Sequence, residues 1–192
     1  MKTNLILLSF LLAVINCFAG KTPNIVLILA DDMGPGEPSH MGGLVPTPTL
    51  DRMAKEGVRF TDAHTTSSVC TPTRYGILTG RYNWRSRLKR GVLVKASSQG
   101  LMDPNRVNLP NFLQQNGYHT GMVGKWHLGA DWELLEKPPA GSDRKDDSWR
   151  VDYSKPFRNG PTDVGFDEAF FILSSLDMAP YLYLRNNKSL SM

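Results

Sequence analysis

The sequence predicts an α/β fold in which helices flank a mostly parallel sheet, and residues 25–64 give the clearest indication. Residues 25–30 (IVLILA) are a short, continuous aliphatic run, which is typical of a strand buried on both faces. Residues 47–57 predict a helix, with Thr47 as its cap and a proline at its first position. Residues 58–64 alternate like a second strand. A strand, a helix and a strand in this order indicate a parallel α/β unit.

Further helices and strands follow with a less regular pattern. The helices are predicted over residues 73–78 and 109–117, and the strands over residues 118–125, 166–172 and 181–184. Residues 136–152 are rich in proline and charge and predict a loop.

Composition and charge describe an ordinary globular protein. The 192 residues suffice for one domain with a sizeable core, and 41% are hydrophobic and 21% charged. A formal net charge of +4 without a recognition motif argues against nucleic-acid binding.

The densest basic run, residues 81–90 (RYNWRSRLKR), has two interpretations. A solvated surface is the commoner one, and contact with an anionic substrate is the other.

The first nineteen residues have the three parts of a secretory signal peptide: a positive start, an apolar centre and a small residue, Ala19, before the cleavage point. The apolar run is too short to span a bilayer comfortably. We therefore expect an exported protein, secreted or periplasmic, whose mature domain comprises residues 20–192. A lipoprotein anchor at Cys17 is the alternative, although Asn16 fits it poorly.

Asn187 begins a glycosylation acceptor tripeptide, which matters only in a eukaryotic secretory host.

Removal of the signal segment leaves Cys70 as a single cysteine. An odd cysteine in an exported protein is either an intermolecular link or a chemically special residue. The helix predicted directly after Cys70 would offer its N-terminal amides and dipole to an anion.

Two further polar pairs follow predicted strands. Asp31 and Asp32 supply hard oxygen ligands that suit Ca²⁺ or Mg²⁺, although Asp31 could simply cap a helix. Lys125 and His127 are two residues apart, so an extended backbone points them to one side, where they would bind an anion. The alternative for this pair is an exposed strand end. A metal site, an anion-binding site and a chemically special cysteine together indicate the hydrolysis of a sulfate ester or a phosphate ester.

Several stretches resemble the sulfatase family of the alkaline-phosphatase-like superfamily. Cys70-Thr71-Pro72-Thr73-Arg74 matches the family signature Cys-x-Pro-x-Arg, and residues 78–81 (LTGR) match the run that follows it. Residues 24–34 resemble the opening strand with its Asp-Asp pair, residues 124–129 (GKWHLG) resemble the second signature, and residues 165–167 (GFD) are a weaker match. The resemblance implies an alkaline-phosphatase-like sandwich around a mostly parallel central sheet flanked by helices.

The resemblance also implies a mechanism. In such enzymes a dedicated maturase oxidises the signature cysteine, here Cys70, to formylglycine, whose hydrated form attacks the sulfate ester. Asp31, Asp32 and the modified Cys70 would hold the divalent cation, Ca²⁺ or Mg²⁺. Arg74 would fix the nucleophile, Lys125 would bind the sulfate oxygens, and His127 would orient the nucleophile or the sulfate.

The sequence departs from the family pattern at its end. The family's later Asp-Asn metal pair, second histidine and second lysine have no counterpart before Met192. We therefore expect residues 20–192 to be a truncated, N-terminal part of the catalytic domain that is inactive alone.

Sulfated small molecules or glycans are the expected substrates, selected in part by the loops at residues 136–152 and 174–183. The alternatives are a phosphonate or phosphodiester hydrolase of the same superfamily, and a non-catalytic fragment that binds anionic glycans through residues 81–90.

Overall fold

The structure is a computed structural model that describes residues 22–137, 139 and 147–190. The chain divides into two compact units, Met1–Val58 and Arg59–Met192. The signal segment predicted at residues 1–19 and the centre of the loop at residues 140–146 lie outside the described residues. No helix in the described ranges is long and apolar enough to cross a membrane.

The described part of the first unit is organised by helix α1 (Pro48–Glu56), which confirms the helix predicted there. Thr47 is the N-cap residue, but its hydroxyl does not bond to the helix amides. It instead accepts a hydrogen bond from the Ser39 amide at 2.9 Å, and Asp51 of α1 accepts one from the Ser39 hydroxyl at 2.7 Å. This last bond is the largest of the effects that lower the pKa of Asp51. The loop before α1 is thus tied to its first turn.

The strands predicted at residues 25–30 and 58–64 are not present, so the predicted β-α-β unit was wrong for the described chain. Val26 is 82% exposed and Ile28 is 78% exposed, although their pattern is that of a strand buried on both faces. A strand exists through hydrogen bonds to a neighbour, and an aliphatic run without a neighbouring strand remains irregular.

The second unit contains a four-stranded mixed sheet in the order β1-β2-β3-β4. Strand β1 (Gly121–Lys125) lies parallel to β2 (Glu168–Ile172), with Lys125 opposite Ile172. Strands β3 (Tyr183–Arg185) and β4 (Lys188–Ser189) continue the sheet in antiparallel fashion. The strands predicted at residues 118–125, 166–172 and 181–184 are therefore confirmed with shorter bounds, the last of them ending one residue later than predicted, and β4 was not predicted. The α/β class holds, with β1 and β2 as the parallel pair.

Two helices accompany the sheet. Helix α2 (Cys70–Thr79) begins three residues earlier than predicted, so Cys70 is its first residue and does not precede it. Helix α3 (Leu109–Gln115) is capped by Asn108, whose side chain accepts a hydrogen bond from the Asn111 amide at 3.1 Å.

The core of the second unit includes residues of α2, of the sheet and of the loops between them. In β2, Ala169 and Phe171 are buried while Phe170 is exposed, as expected for alternating strand faces. Tyr75 of α2 belongs to the same buried cluster. The largest fully buried apolar side chains are Trp126, Phe157, Phe171, Leu128, Leu173 and Leu184.

Asp167 connects the segments that lead into the parallel strands β1 and β2. It belongs to the weaker sequence match at residues 165–167. Its carboxylate accepts hydrogen bonds from the amide and the hydroxyl of Thr120 at 2.6 and 2.9 Å, and from the Gln114 side chain at 2.7 Å. The Thr120 bonds are the main reason why the pKa of Asp167 lies below its usual range. Gly165 has a φ of 108°, and a Cβ there would lie 2.4 Å from the Asn111 side chain. This glycine is required both for its backbone conformation and for the close approach of α3.

Candidate active site

The candidate site lies where the carboxyl ends of β1 and β2 meet the N-terminus of α2. Beyond the formal strand ends, the Trp126 amide donates to the Ile172 carbonyl at 3.0 Å and the His127 amide donates to the Leu173 carbonyl at 2.8 Å. The chain segments after both parallel strands are therefore held side by side. This edge of a parallel sheet is the position where α/β proteins place their ligands.

Cys70 is the first residue of α2, and its thiol is free and partly exposed. The amides of the first turn have no partners within the helix, so the Cys70 end of α2 favours negative charge.

Two side chains from the first five residues of α2 fix the segment that carries Lys125 and His127. The hydroxyl of Thr71, which is completely buried, donates to the His127 carbonyl at 2.9 Å. The Arg74 guanidinium donates to the Lys125 carbonyl at 2.6 Å. The structure thereby brings together four residues predicted from the sequence: Cys70, Arg74, Lys125 and His127.

Lys125 is held by a residue that the sequence analysis did not select. Its ammonium donates to the Ser175 hydroxyl at 3.1 Å. A hydrogen bond from Ser175 is the largest of the effects that lower the pKa of the Asp177 carboxyl, the Asp177 backbone amide is the next, and the charge of Lys125 acts in the same direction. Ser175 and Asp177 lie just after β2 and within the loop predicted to select the substrate. The sequence predicted strands at residues 118–125 and 166–172 but not their parallel pairing, and this pairing is what places Ser175 and Asp177 here.

His127 is 1% exposed and adopts a left-handed backbone conformation with a φ of 54°. Its Nε2 lies 2.8 Å from the Leu93 carbonyl oxygen. A carbonyl only accepts, so Nε2 carries a proton and donates. Nδ1 is buried and has no hydrogen-bond partner among the described residues. Burial is the main cause that lowers the pKa of His127, and the nearby positive charges of Lys125 and Arg74 act in the same direction. The imidazole is thus neutral at pH 7, with a lone pair on Nδ1.

The sequence GKWHLG at residues 124–129 has a physical explanation in this structure. Gly129 has a φ of 72°, and a Cβ there would lie 2.2 Å from the carbonyl oxygen of Gln99. The Trp126 indole donates to the Gly129 carbonyl at 2.8 Å, and the Leu101 amide donates to the Leu128 carbonyl at 2.8 Å. A side chain at Gly129 would push away the segment that these bonds tie to the site.

Asp31 and Asp32, the predicted metal ligands, belong to the first unit. Both residues are exposed, and Asp32 has a φ of 59°, a conformation that few residues other than glycine adopt. Their carboxylates match Ca²⁺ or Mg²⁺ in kind. Among the described residues, however, no group of three or more His, Cys, Asp or Glu side chains could hold a metal ion. The pair therefore fits a cation as part of a ligand set, and its role stays a prediction.

The arrangement in the second unit can bind a small oxyanion beside a nucleophile. A lysine ammonium and the N-terminus of a helix attract negative charge, and a neutral imidazole next to them can accept a proton.

Comparisons with known proteins agree with this chemistry. The family model described as Sulfatase matches residues 23–172. The chain is 36% identical over 167 residues to an N-acetylgalactosamine-6-O-sulfatase of Bacteroides thetaiotaomicron, covering 86% of this chain and 29% of that protein. It is 46% identical over 118 residues to human arylsulfatase G, covering 59% of this chain and 22% of that protein.

A solved structure from work on the metabolism of multiple glycosaminoglycans by Bacteroides thetaiotaomicron gives a TM-score of 0.74 at 35% identity, covering 89% of this chain and 32% of that one. The chain therefore spans about a third or less of the length of these relatives. The family model covers most of the chain, in the region that carries the site, and the chain belongs to the sulfatase family.

Proposed function

We propose that this chain provides the nucleophile and the anion-binding side of an enzyme that hydrolyses sulfate esters. One observation carries the proposal: Arg74 and Thr71, near the start of α2, hydrogen-bond to the carbonyl groups of Lys125 and His127, at 2.6 and 2.9 Å. These bonds support the proposal because they attach the helix that begins at Cys70 to the segment that carries Lys125 and His127.

Sulfatases generally use a formylglycine and a divalent metal. In this chain Cys70 is the residue to be converted, and a maturase that reads residues 70–74 is the partner that we propose. The hydrated aldehyde would supply two hydroxyls on one carbon, one to attack sulfur and one to expel sulfate afterwards. Oxidation removes the thiol, so an intermolecular disulfide through Cys70 does not form in the mature enzyme.

Lys125 would bind the sulfate oxygens together with the free amides at the start of α2. Ser175 accepts a hydrogen bond from the Lys125 ammonium at 3.1 Å, and the negative charge of Asp177 attracts the same ammonium. Arg74 would position Lys125 relative to the nucleophile, because its 2.6 Å bond fixes the Lys125 backbone to the helix that begins at Cys70. Preorganised donors of this kind stabilise the charge that develops when the ester bond breaks.

His127 would act as the base. Its Nε2 hydrogen bond to Leu93 fixes the tautomer in which Nδ1 accepts a proton. A neutral imidazole at this point can take the proton from a hydroxyl of the nucleophile, and it can return that proton to the departing group.

Asp31 and Asp32 would hold the divalent cation, with further ligands required to complete its shell. When bound, the cation would lower the pKa of a coordinated hydroxyl and polarise a sulfate oxygen.

Sulfated sugars are the substrate class that we propose, since a relative at 36% identity is named an N-acetylgalactosamine-6-O-sulfatase. Export through the segment at residues 1–19 is part of the same proposal, because it would deliver the enzyme to extracellular glycans.

The test uses purified full-length protein produced together with a formylglycine-generating maturase. Mass spectrometry of the peptide that contains Cys70 should show a form about 18 Da lighter than the cysteine form. The protein should hydrolyse a chromogenic sulfate ester faster than the phosphodiester of the same alcohol, and Cys70→Ala should abolish both activities. A preference for the phosphodiester would replace the proposal with a phosphodiester hydrolase, and an unmodified thiol would argue for a non-catalytic glycan binder.

A further inference from the structure

A second surface of the larger unit combines exposed aromatic rings with positive charge. The rings of Tyr82 and Trp84 stack on each other, with centroids 4.1 Å apart and planes 13° apart. They are 47% and 52% exposed. We call residues 81–90 the basic-aromatic loop.

The basic-aromatic loop is held rigid by its own hydrogen bonds. The side chain of Asn83, which is buried, donates to the Leu88 carbonyl at 2.9 Å. The Ser86 hydroxyl donates to the Asn83 carbonyl at 2.6 Å, and it accepts from the Leu88 amide at 3.1 Å. The Lys89 ammonium donates to the Trp84 carbonyl at 2.8 Å. The surface is therefore formed before any ligand arrives, and binding would cost little ordering of the loop.

The loop carries five basic residues and no acidic one. None of the five forms an ion pair with a carboxylate of the described residues. Arg87 bonds to the Gln99 carbonyl. The side chains of Arg81, Arg85 and Arg90 make no hydrogen bond to another residue of the described ranges. Three guanidinium groups are thus available to an anion from solvent, and their planar donor pairs match the oxygens of a sulfate group.

The loop is continuous with the candidate active site but does not coincide with it. It begins after Gly80, at the other end of α2 from Cys70, which a ten-residue helix places about 15 Å away. The chain then returns to the site at Leu93. The Leu93 amide donates to the Thr71 hydroxyl at 3.3 Å, and its carbonyl accepts from His127. Residues 81–93 therefore form one segment that leads from the distant end of α2 to the catalytic base.

We propose that the basic-aromatic loop binds a sulfated polysaccharide several sugar units away from the ester that is cleaved. Tyr82 and Trp84 would pack against the apolar face of a sugar ring, and Arg81, Arg85 and Arg90 would pair with sulfate groups. The proposal rests on the proposed function, because the sulfatase site supplies the reason for a sulfated chain at this place. An anionic bilayer fits less well, since two rings among charged groups offer no broad apolar face for insertion.

The test measures binding of full-length protein to chondroitin sulfate polymer and to N-acetylgalactosamine 6-sulfate, each at low salt and at physiological salt. We expect the polymer to bind more tightly than the monosaccharide. Tyr82→Ala combined with Trp84→Ala should weaken polymer binding about tenfold and leave monosaccharide binding unchanged. Arg85→Gln combined with Arg90→Gln should weaken polymer binding and reduce its dependence on salt.

Matched controls come from the same chain. Phe170 and Tyr183 are a second exposed stacked pair, 5.3 Å apart, on the sheet, so Tyr183→Ala should leave polymer binding unchanged. Arg52→Gln combined with Lys55→Gln removes two exposed charges from α1 and, as the control for the arginine variants, should leave polymer binding unchanged. Trp84→Phe keeps a ring in place and should retain most of the affinity, which separates loss of contact from loss of folding.

The proposal is overturned if the double aromatic variant binds the polymer as tightly as the wild type. It is also overturned if duplex DNA or phosphatidylserine vesicles bind the loop more tightly than the polymer does at equal salt. Failure of the sulfatase proposal has a different signature, namely no hydrolysis of a small sulfate ester by wild-type protein whatever its polymer affinity.

Discussion

His127 shows how one buried residue links stability to pH. Burial lowers its pKa from the ordinary value of 6.5, so the folded protein keeps the imidazole neutral at a pH where the unfolded chain takes up a proton. The unfolded state therefore binds more protons below pH 6.5, and folding stability decreases as the pH falls from 6.5 towards the lowered pKa. Above pH 6.5 this contribution is constant.

The corresponding prediction concerns the difference between the wild type and His127→Asn. Between about pH 7.5 and about pH 5.5 the wild type should lose more unfolding free energy than the variant, because only the wild type carries this group. Urea titrations at both pH values measure the difference, and an NMR titration of His127 gives the pKa directly. A His127 pKa at or above 6.5 would contradict the burial argument.

Lys125 and Ser175 allow a second prediction at the scale of single residues. Lys125→Ala should lower kcat/KM for a sulfate ester by about 10²–10³-fold, since it removes a preorganised charge at the developing oxyanion. Ser175→Ala should cost about tenfold, because it removes only the group that positions the ammonium. Exposed Lys155, replaced by alanine, serves as the control. Equal rates for the Lys125 variant and the control would show that the ammonium does not meet the substrate.

The sequence was informative about residues that share a short motif and less informative about partners that are distant in sequence. The spacing of Lys125 and His127 allowed either an anion site or an exposed strand end, and the structure attaches the backbone of both residues to α2. Ser175 lies 50 positions after Lys125, and the 3.1 Å contact between them depends on the parallel register of β1 and β2. No local pattern encodes that register.

Among the elements, the contact between α2 and the segment after β1 is the one on which the site depends. Thr71 is completely buried, donates to the His127 carbonyl and accepts from the Leu93 amide. Thr71→Val keeps the shape but leaves the Leu93 amide buried without its acceptor. A lost buried hydrogen bond of this kind costs about 1–3 kcal/mol of unfolding free energy.

Thr79→Val is the matched control within the same helix. The Thr79 hydroxyl donates to the Tyr75 carbonyl one turn earlier and accepts from the Arg81 amide two residues later, so its loss breaks only local hydrogen bonds at the end of the helix. We expect a change within about 0.5 kcal/mol. Urea unfolding of both variants tests the difference, and the Thr71 variant should also lose activity. Similar stabilities for the two variants would mean that α2 is held mainly by apolar packing.

The elements themselves were predictable where local chemistry decides them. Helix α1 follows from the proline at its start and the glycine at its end, and α3 from the same combination with Asn108 as a cap. Helix α2 begins earlier than predicted because Cys70 and Thr71 have low intrinsic helix propensity, so the local pattern offered no reason to include them. The tertiary contact of Thr71 with the His127 carbonyl brings them into the helix. The strand predicted at residues 25–30 was wrong because a strand needs hydrogen bonds to a neighbouring strand, and the aliphatic pattern alone does not provide that neighbour.

At the scale of the whole molecule, the chain spans about a third or less of the relatives that it matches. Ca²⁺ takes six to eight oxygen ligands, so two carboxylates can bind it only weakly. Asp31 and Asp32 are exposed, and the described residues offer no cluster of three acidic, histidine or cysteine ligands.

The last prediction follows from this ligand count. The 192-residue chain should bind Ca²⁺ with a Kd weaker than about 10⁻³ M, because tighter sites use more oxygens than these two residues supply. Asp31→Asn combined with Asp32→Asn should remove the residual binding, whereas Asp103→Asn combined with Asp163→Asn, which changes two other exposed aspartates, should not. Isothermal titration calorimetry measures all three proteins. Micromolar affinity that the first double variant abolishes would mean that this chain completes the cation shell, in which case addition of a chelator should also lower its unfolding temperature.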